Sequence, residues 1–212
     1  MGPVFKHNVV IFFPRRFCSS VTIFALAIPI AFAAYVAPAA ASQRGELVLA
    51  TSAEDMALRT RLVRLAPTVN PEEARRVAYV AYTTGRELAR EWDVVSSPTM
   101  QNFLIIIGAR KAGYCFQFAG ELLTRLDAQK LKTLELHWAE SDPGGDTEHN
   151  VIVVTANGGP FAQGILLDNW RRSGHLLWGP VYGDPDHPWS ENKAEFARRL
   201  KRRPPAANRP KR

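Results

Sequence analysis

Three residues, a cysteine at 115, a histidine at 149 and an aspartate at 168, are of the types that together break an amide bond. A thiol becomes a nucleophile only as thiolate, and a helix N-terminus, with its partial positive charge and unpaired N–H groups, favours that form. An imidazole beside it forms a thiolate–imidazolium pair and later protonates the leaving amine. A carboxylate on the other ring nitrogen fixes the tautomer and the ring's orientation. The backbone N–H of Cys115 would face the oxyanion of an attacked carbonyl. For a second oxyanion donor the chain offers Gln101 and Asn102 before the cysteine and Gln117 just after it.

These residues need elements to position them. "TSAEDMALRTRLVRLAP" has Ser52 as a cap with Asp55 three residues on, then Leu58, Leu62 and Leu65 at helical spacing. "NPEEARRVAYVAYTTGRELAREW" predicts a longer helix capped by Asn70, with Pro71 first, Glu72 and Glu73 at its positive end, and an inner stripe of Val77, Ala81, Leu88 and Trp92. Ser97 and Pro98 start a third helix that Gly108 ends, and a fourth begins near Cys115 and buries Phe118, Leu122 and Leu126. The period then changes to two. "TLELHW" alternates Leu134, Leu136 and Trp138 against Glu135 and His137, "EHNVIVVTA" is a β-branched strand, "NGGP" turns the chain, and "GILLDNW" is a third strand. Helices followed by an antiparallel meander predict an α+β domain. The fourth helix opens at Cys115. The hairpin sets His149, at the start of one strand, beside Asp168, at the end of the next.

In "GYCFQFA", "EHNVIVV" and "LLDNW" the chain resembles the transglutaminase-like superfamily of papain-related cysteine enzymes, nearest to the bacterial transglutaminase-like cysteine peptidases. The shared order is cysteine on a helix start, histidine on a strand and aspartate on the following strand, over about residues 98–182. The resemblance implies a transglutaminase-like or papain-like core, with Cys115, His149 and Asp168 as the catalytic residues. It implies acyl chemistry on amides through a thioester, with a peptide or protein substrate and no metal or other cofactor in the reacting group.

Other residues have plainer readings. His137 points away from the Leu134/Leu136 face and reads as a solvated strand histidine. His175 follows a turn signal in "RRSGHLLW" and is a structural or cleft-lining residue, and His187, in "GDPDHPW", reads as exposed. Trp170 follows the aspartate and could shield a His149–Asp168 hydrogen bond from water, while Trp138 and Trp178 read as core. Arg171 and Arg172 are either a solvated pair or a positive edge for an acidic substrate. Asp142, Asp146 and His149 have no metal-ligand spacing, so no metal site is expected.

Compartment sharpens the meaning of the cysteine. Lys6, Arg15 and Arg16, the apolar run "VTIFALAIPIAFAAYVA" and the small residues Ala39 and Ala41 form an export-signal pattern over residues 1–41, or a signal anchor if uncut. Cleavage after Ala41 would remove Cys18 and leave Cys115 as the one thiol, unable to pair within the chain in an oxidising compartment. Residues 191–212 carry nine Lys or Arg against Glu191 and Glu195, a net +7. With +3 from the leader, the body at 42–190 sits at −3 within a total of +7. The domain is expected over 42–201, where Phe196 and Leu200 can dock a short helix. Residues 202–212 are expected to be a basic disordered tail, with too little apolar surface to repay ordering. Such a tail suits an anionic cell-envelope surface; nucleic acid is not an expected partner of an exported chain. These signs point to an exported thiol enzyme that hydrolyses or transfers an amide acyl group. The alternative is an inactive binding module that keeps the cleft for a peptide or envelope glycan. The sequence leaves oligomeric state open.

Overall fold

The computed structural model describes residues 53–202. The expectations for the leader, the Ser52 cap and residues 203–212 fall outside them. Five helices and five strands follow in the order α1 (53–63), α2 (Pro71–Glu91), α3 (Pro98–Ile106), α4 (Cys115–Asp127), β1 (Leu134–Ser141), β2 (His149–Ala156), β3 (Ile165–Asp168), β4 (Leu177–Pro180), β5 (Ser190–Glu191) and α5 (Lys193–Lys201). Every strand pairing is antiparallel, in the order β4-β3-β2-β1-β5, so helices first and a meander after make this an α+β fold. No helix among the described residues is long and apolar enough to cross a membrane.

Local chemistry explains the helix ends. Asn70 accepts a hydrogen bond from the Glu72 N–H ahead of Pro71, and Ser97 does the same for Met100 ahead of Pro98. After α3 the chain turns through Gly108 at φ +76°, a left-handed conformation that costs glycine little. The inner faces of α1, α2 and α4 pack through Leu58, Leu62, Val77, Ala81, Leu122 and Leu126 onto Trp138, Ile152, Val154, Ile165 and Leu167 of the sheet. Trp92 lies at the end of the α2 stripe, edge-on to Phe118 at 5.0 Å. Phe196 and Leu200 of α5 dock on the same core.

The far face of the sheet is covered as well, which corrects the reading of His137. Ala139, Val151, Val153, Leu166 and Val181 form a second apolar layer under Phe161 and Trp189. His137 therefore points outward into protein. It is buried, with Nδ1 2.7 Å from Glu191 Oε1 and Nε2 2.8 Å from Thr155 Oγ1, and it ties β5 to the sheet edge. Two covered faces also explain why all eight residues of β2 are buried.

Glu73 locks α2 to the start of the sheet. Its carboxylate accepts from the Lys132 N–H (2.9 Å), the Thr133 N–H (2.8 Å) and the Thr133 hydroxyl (2.7 Å), and only 5 % of the residue is exposed. Burial alone would raise its pKa, but these bonds to Thr133 and Lys132 hold it below the usual glutamate range. Glu73→Ala takes the acceptor from three part-buried donors and is expected to cost about 3 kcal/mol in urea unfolding. A loss under about 1 kcal/mol would show that water replaces the carboxylate.

Candidate active site

The cysteine stands at the first position of α4 because the loop before it is clamped. Gln117 folds back so that its Oε1 accepts from the Gly113 and Tyr114 N–H groups at 2.8 and 3.0 Å. From α3, buried Gln101 donates to the Ala112 carbonyl (2.8 Å) and accepts from the Val95 N–H (3.1 Å). Gly113 adopts φ +128°, and a Cβ there would lie 2.7 Å from Gln101, so the loop requires glycine. Two of the three expected oxyanion donors thus hold the loop that presents the thiol. The third, Asn102, is half-buried with its Oδ1 unpartnered.

His149 and Asp168 are brought together by the hairpin. Ile152 pairs with Leu167 and Val153 with Leu166, so His149 and Asp168 share a face as diagonal neighbours near one end of the sheet. His149 Nε2 is 2.8 Å from Asp168 Oδ2, and both side chains are almost wholly buried. The carboxylate is saturated: Oδ1 accepts from the Trp170 and Arg171 N–H groups (2.7 and 3.1 Å), and Oδ2 also takes the Arg171 Nε–H (2.5 Å). Burial would raise the pKa of Asp168, but the hydrogen bond and charge of His149 and the charge of Arg171 hold it below the usual carboxylate range. Burial likewise works against a charged imidazole. The hydrogen bond to Asp168, with the charges of Asp168 and the neighbouring Cys115, prevails and pushes His149 up to about 9.

Cys115 is near enough to His149 to act on its charge, but no hydrogen bond joins the thiol to the ring. His149 Nδ1 is buried without a hydrogen-bond partner, as a proton acceptor awaiting the thiol would be. The Cys115 sulfur, on a residue 9 % exposed, lies 3.8 Å from the Glu148 carbonyl and 3.8 Å from Asn150 Nδ2. A gap too small to admit a water molecule lies beside it, bordered by Phe118, Asn150, Asp168, Asn169 and Trp170.

Aromatic rings enclose the imidazole. Trp170 is 4.9 Å from the His149 ring, His187 5.2 Å and Trp189 5.4 Å, and the last two stack on each other at 5.1 Å. His187 is therefore half-buried over the site and not exposed as its proline-rich loop suggested. That loop is fastened from below: Arg171 Nη2 bridges Asp184 Oδ2 at 2.7 Å, Trp189 Nε1 donates to the same oxygen at 3.1 Å, and the guanidinium lies over the Trp189 ring. Arg171 thus joins the site network, whereas Arg172 and His175 are exposed. Trp138 is core, as expected, and Trp178 is half-buried with its indole N–H on Tyr82 Oη. The acidic loop after β1 is held internally, with Asp142 Oδ2 accepting from the Thr147 N–H and hydroxyl. Among the described residues no group of three His, Cys, Asp or Glu could hold a metal ion.

Asn150, Trp189 and Asp184 were not singled out from sequence. For Asn150 a signal existed, since alternation along β2 sets it on the helix-covered face, opposite to His149. Compared with protein-family models, curated proteins and solved structures, the chain matches none.

Proposed function

We propose that this chain is an exported thiol enzyme of the transglutaminase-like type, which hydrolyses or transfers an amide acyl group through a thioester on Cys115. The observation that carries this reading is the buried His149–Asp168 hydrogen bond, with the free Nδ1 left for the thiol of the helix start. In the reaction His149 takes the thiol proton and the sulfur bonds to the amide carbon. The carbonyl pair moves onto oxygen, where the Cys115 N–H receives it. As that pair returns, the C–N bond breaks and the imidazolium gives its proton to the departing amine, leaving a thioester. Water, or a second amine, then attacks; His149 takes its proton and returns it to the sulfur as the acid, or the new amide, leaves. Asp168 holds the tautomer that makes Nδ1 the acceptor, and the rings of Trp170, His187 and Trp189 exclude water from that bond. A peptide or protein is the expected substrate, at a cell envelope whose anionic surface attracts the basic C-terminal end.

A second reading, a binding module that keeps the fold, draws on the slight exposure of Cys115. Thiol chemistry separates the two. Iodoacetamide should alkylate Cys115 at about pH 6.5 roughly tenfold faster than it alkylates the His149→Ala protein, whose rate should follow an ordinary thiol with half-ionisation near 8.5. Two superimposable profiles would leave the enzyme reading without its nucleophile and favour the binding module.

A further inference from the structure

The amide of Asn150 has one N–H with no role in the fold. Asn150 is 4 % exposed and its orientation is decided by its neighbours. The Trp138 indole, which can only donate, lies 3.0 Å from Oδ1, so the oxygen must be on that side. Glu148 Oε1, an acceptor, takes one Nδ2 hydrogen at 3.1 Å. The second faces the Cys115 sulfur at 3.8 Å. Trp138 itself is pinned by Glu140 Oε1 at 3.1 Å and by the Arg199 guanidinium 4.6 Å above its ring, so the amide is held from behind. Gln101 and Gln117, in contrast, hold the loop below the thiol.

We infer that Asn150 is a catalytic residue, donating from Nδ2 to the thiolate and then to the oxyanion of the attacked carbonyl, as the partner of the Cys115 N–H. The inference rests on Cys115 being the nucleophile. A carbonyl oxygen under attack is two bonds from the sulfur, so a donor that reaches the sulfur is placed for that oxygen as well. The thiol form has its own partner, since the S–H can donate to the Glu148 carbonyl. Ionisation turns that carbonyl from acceptor to repulsive neighbour and makes the Asn150 donor the compensating contact. The charged groups around the sulfur are then His149 and Asp168 from the hairpin and the Glu148 carboxylate on the outer side of Asn150. Arg199 of α5 donates to the Phe116 carbonyl in the first turn of α4.

Alkylation rates against pH test this in Asn150→Ala and Asn150→Asp. Loss of the donor should slow alkylation near neutral pH by about tenfold, and the carboxylate, which adds a negative charge beside the sulfur, should slow it further. A purely structural asparagine would lower the melting temperature and leave the profile in place. A wild-type measurement covers the case in which neither variant folds. With asparagine labelled in 15N, one side-chain amide should titrate over the pH range in which the alkylation rate rises, and should stop doing so in Cys115→Ala. Variants with wild-type profiles, or an amide blind to the thiol, would overturn the inference while leaving a reactive Cys115 in place. A wild-type thiol no faster than that of His149→Ala would remove the nucleophile itself, and the inference with it.

Discussion

Asp168→Asn is expected to slow iodoacetamide alkylation of Cys115 at neutral pH by about tenfold or more, toward the rate of a thiol that is only a few per cent ionised. The surroundings of the carboxylate decide how the new amide must sit. Oδ1 accepts two backbone N–H groups, from Trp170 and Arg171, so the amide oxygen has to stay there. The NH2 then replaces Oδ2 and faces both His149 Nε2 and the Arg171 Nε–H. His149 can meet a donor only with a lone pair on Nε2, which moves its proton to Nδ1, the nitrogen that should accept from the thiol. The imidazole is left in the wrong tautomer, a change that costs a serine hydrolase roughly 10⁴ in turnover. Against Arg171 the amide is also donor to donor, so some stability is lost as well. Histidine 15N spectra report the tautomer directly. An unchanged alkylation rate with the proton still on Nε2 would show that the rings of Trp170, His187 and Trp189, and not Asp168, orient the imidazole.

Much of this architecture can be read in the chain because its signals are local. Asn70-Pro71 and Ser97-Pro98 announce helix starts through cap and first-turn chemistry, and both caps accept the bonds their types suggest. Cys115, His149 and Asp168 could be placed from element order and the turn signal at residues 157–160, and the structure brings His149 and Asp168 into hydrogen-bond contact. What stayed hidden depends on distant layers. His137 alternates outward, but the segments after β3 return to cover that face with Val181 and Trp189. β5 has two residues, too few to carry a period. His187 and Trp189 lie in a proline-rich loop with no periodicity, and only the Arg171–Asp184 bridge brings them over His149. Asn150 is one polar residue in a β-branched run, and its meaning depends on which helix packs above it.

The direction in which the pKa of His149 departs from its ordinary value should reverse when its partners are removed. Burial is the largest influence on the imidazole and lowers its pKa, while Asp168 and Cys115 together raise it to about 9. Ring resonances followed by NMR in the wild-type protein should therefore titrate at about 9, well above the ordinary value of about 6.5. Cys115→Ala should lower the midpoint, and with Asp168→Ala added burial is unopposed, so the midpoint should fall below about 6.5. The remaining charge of Arg171 acts in the same direction. Stability follows by linkage. With the folded pKa above the unfolded one, His149 stabilises the wild-type fold fully below about pH 6.5 and loses that contribution as pH rises through about 9. In the double variant the folded pKa lies below the unfolded one, so its stability should increase as pH rises through about 6.5. The thiol-free double variant carries one titrating group fewer at the site, so urea unfolding at several pH values reads the inversion cleanly there. A wild-type ring titrating near its ordinary value, or a double variant that titrates with the wild type, would mean that neither Asp168 nor Cys115 holds the proton on His149.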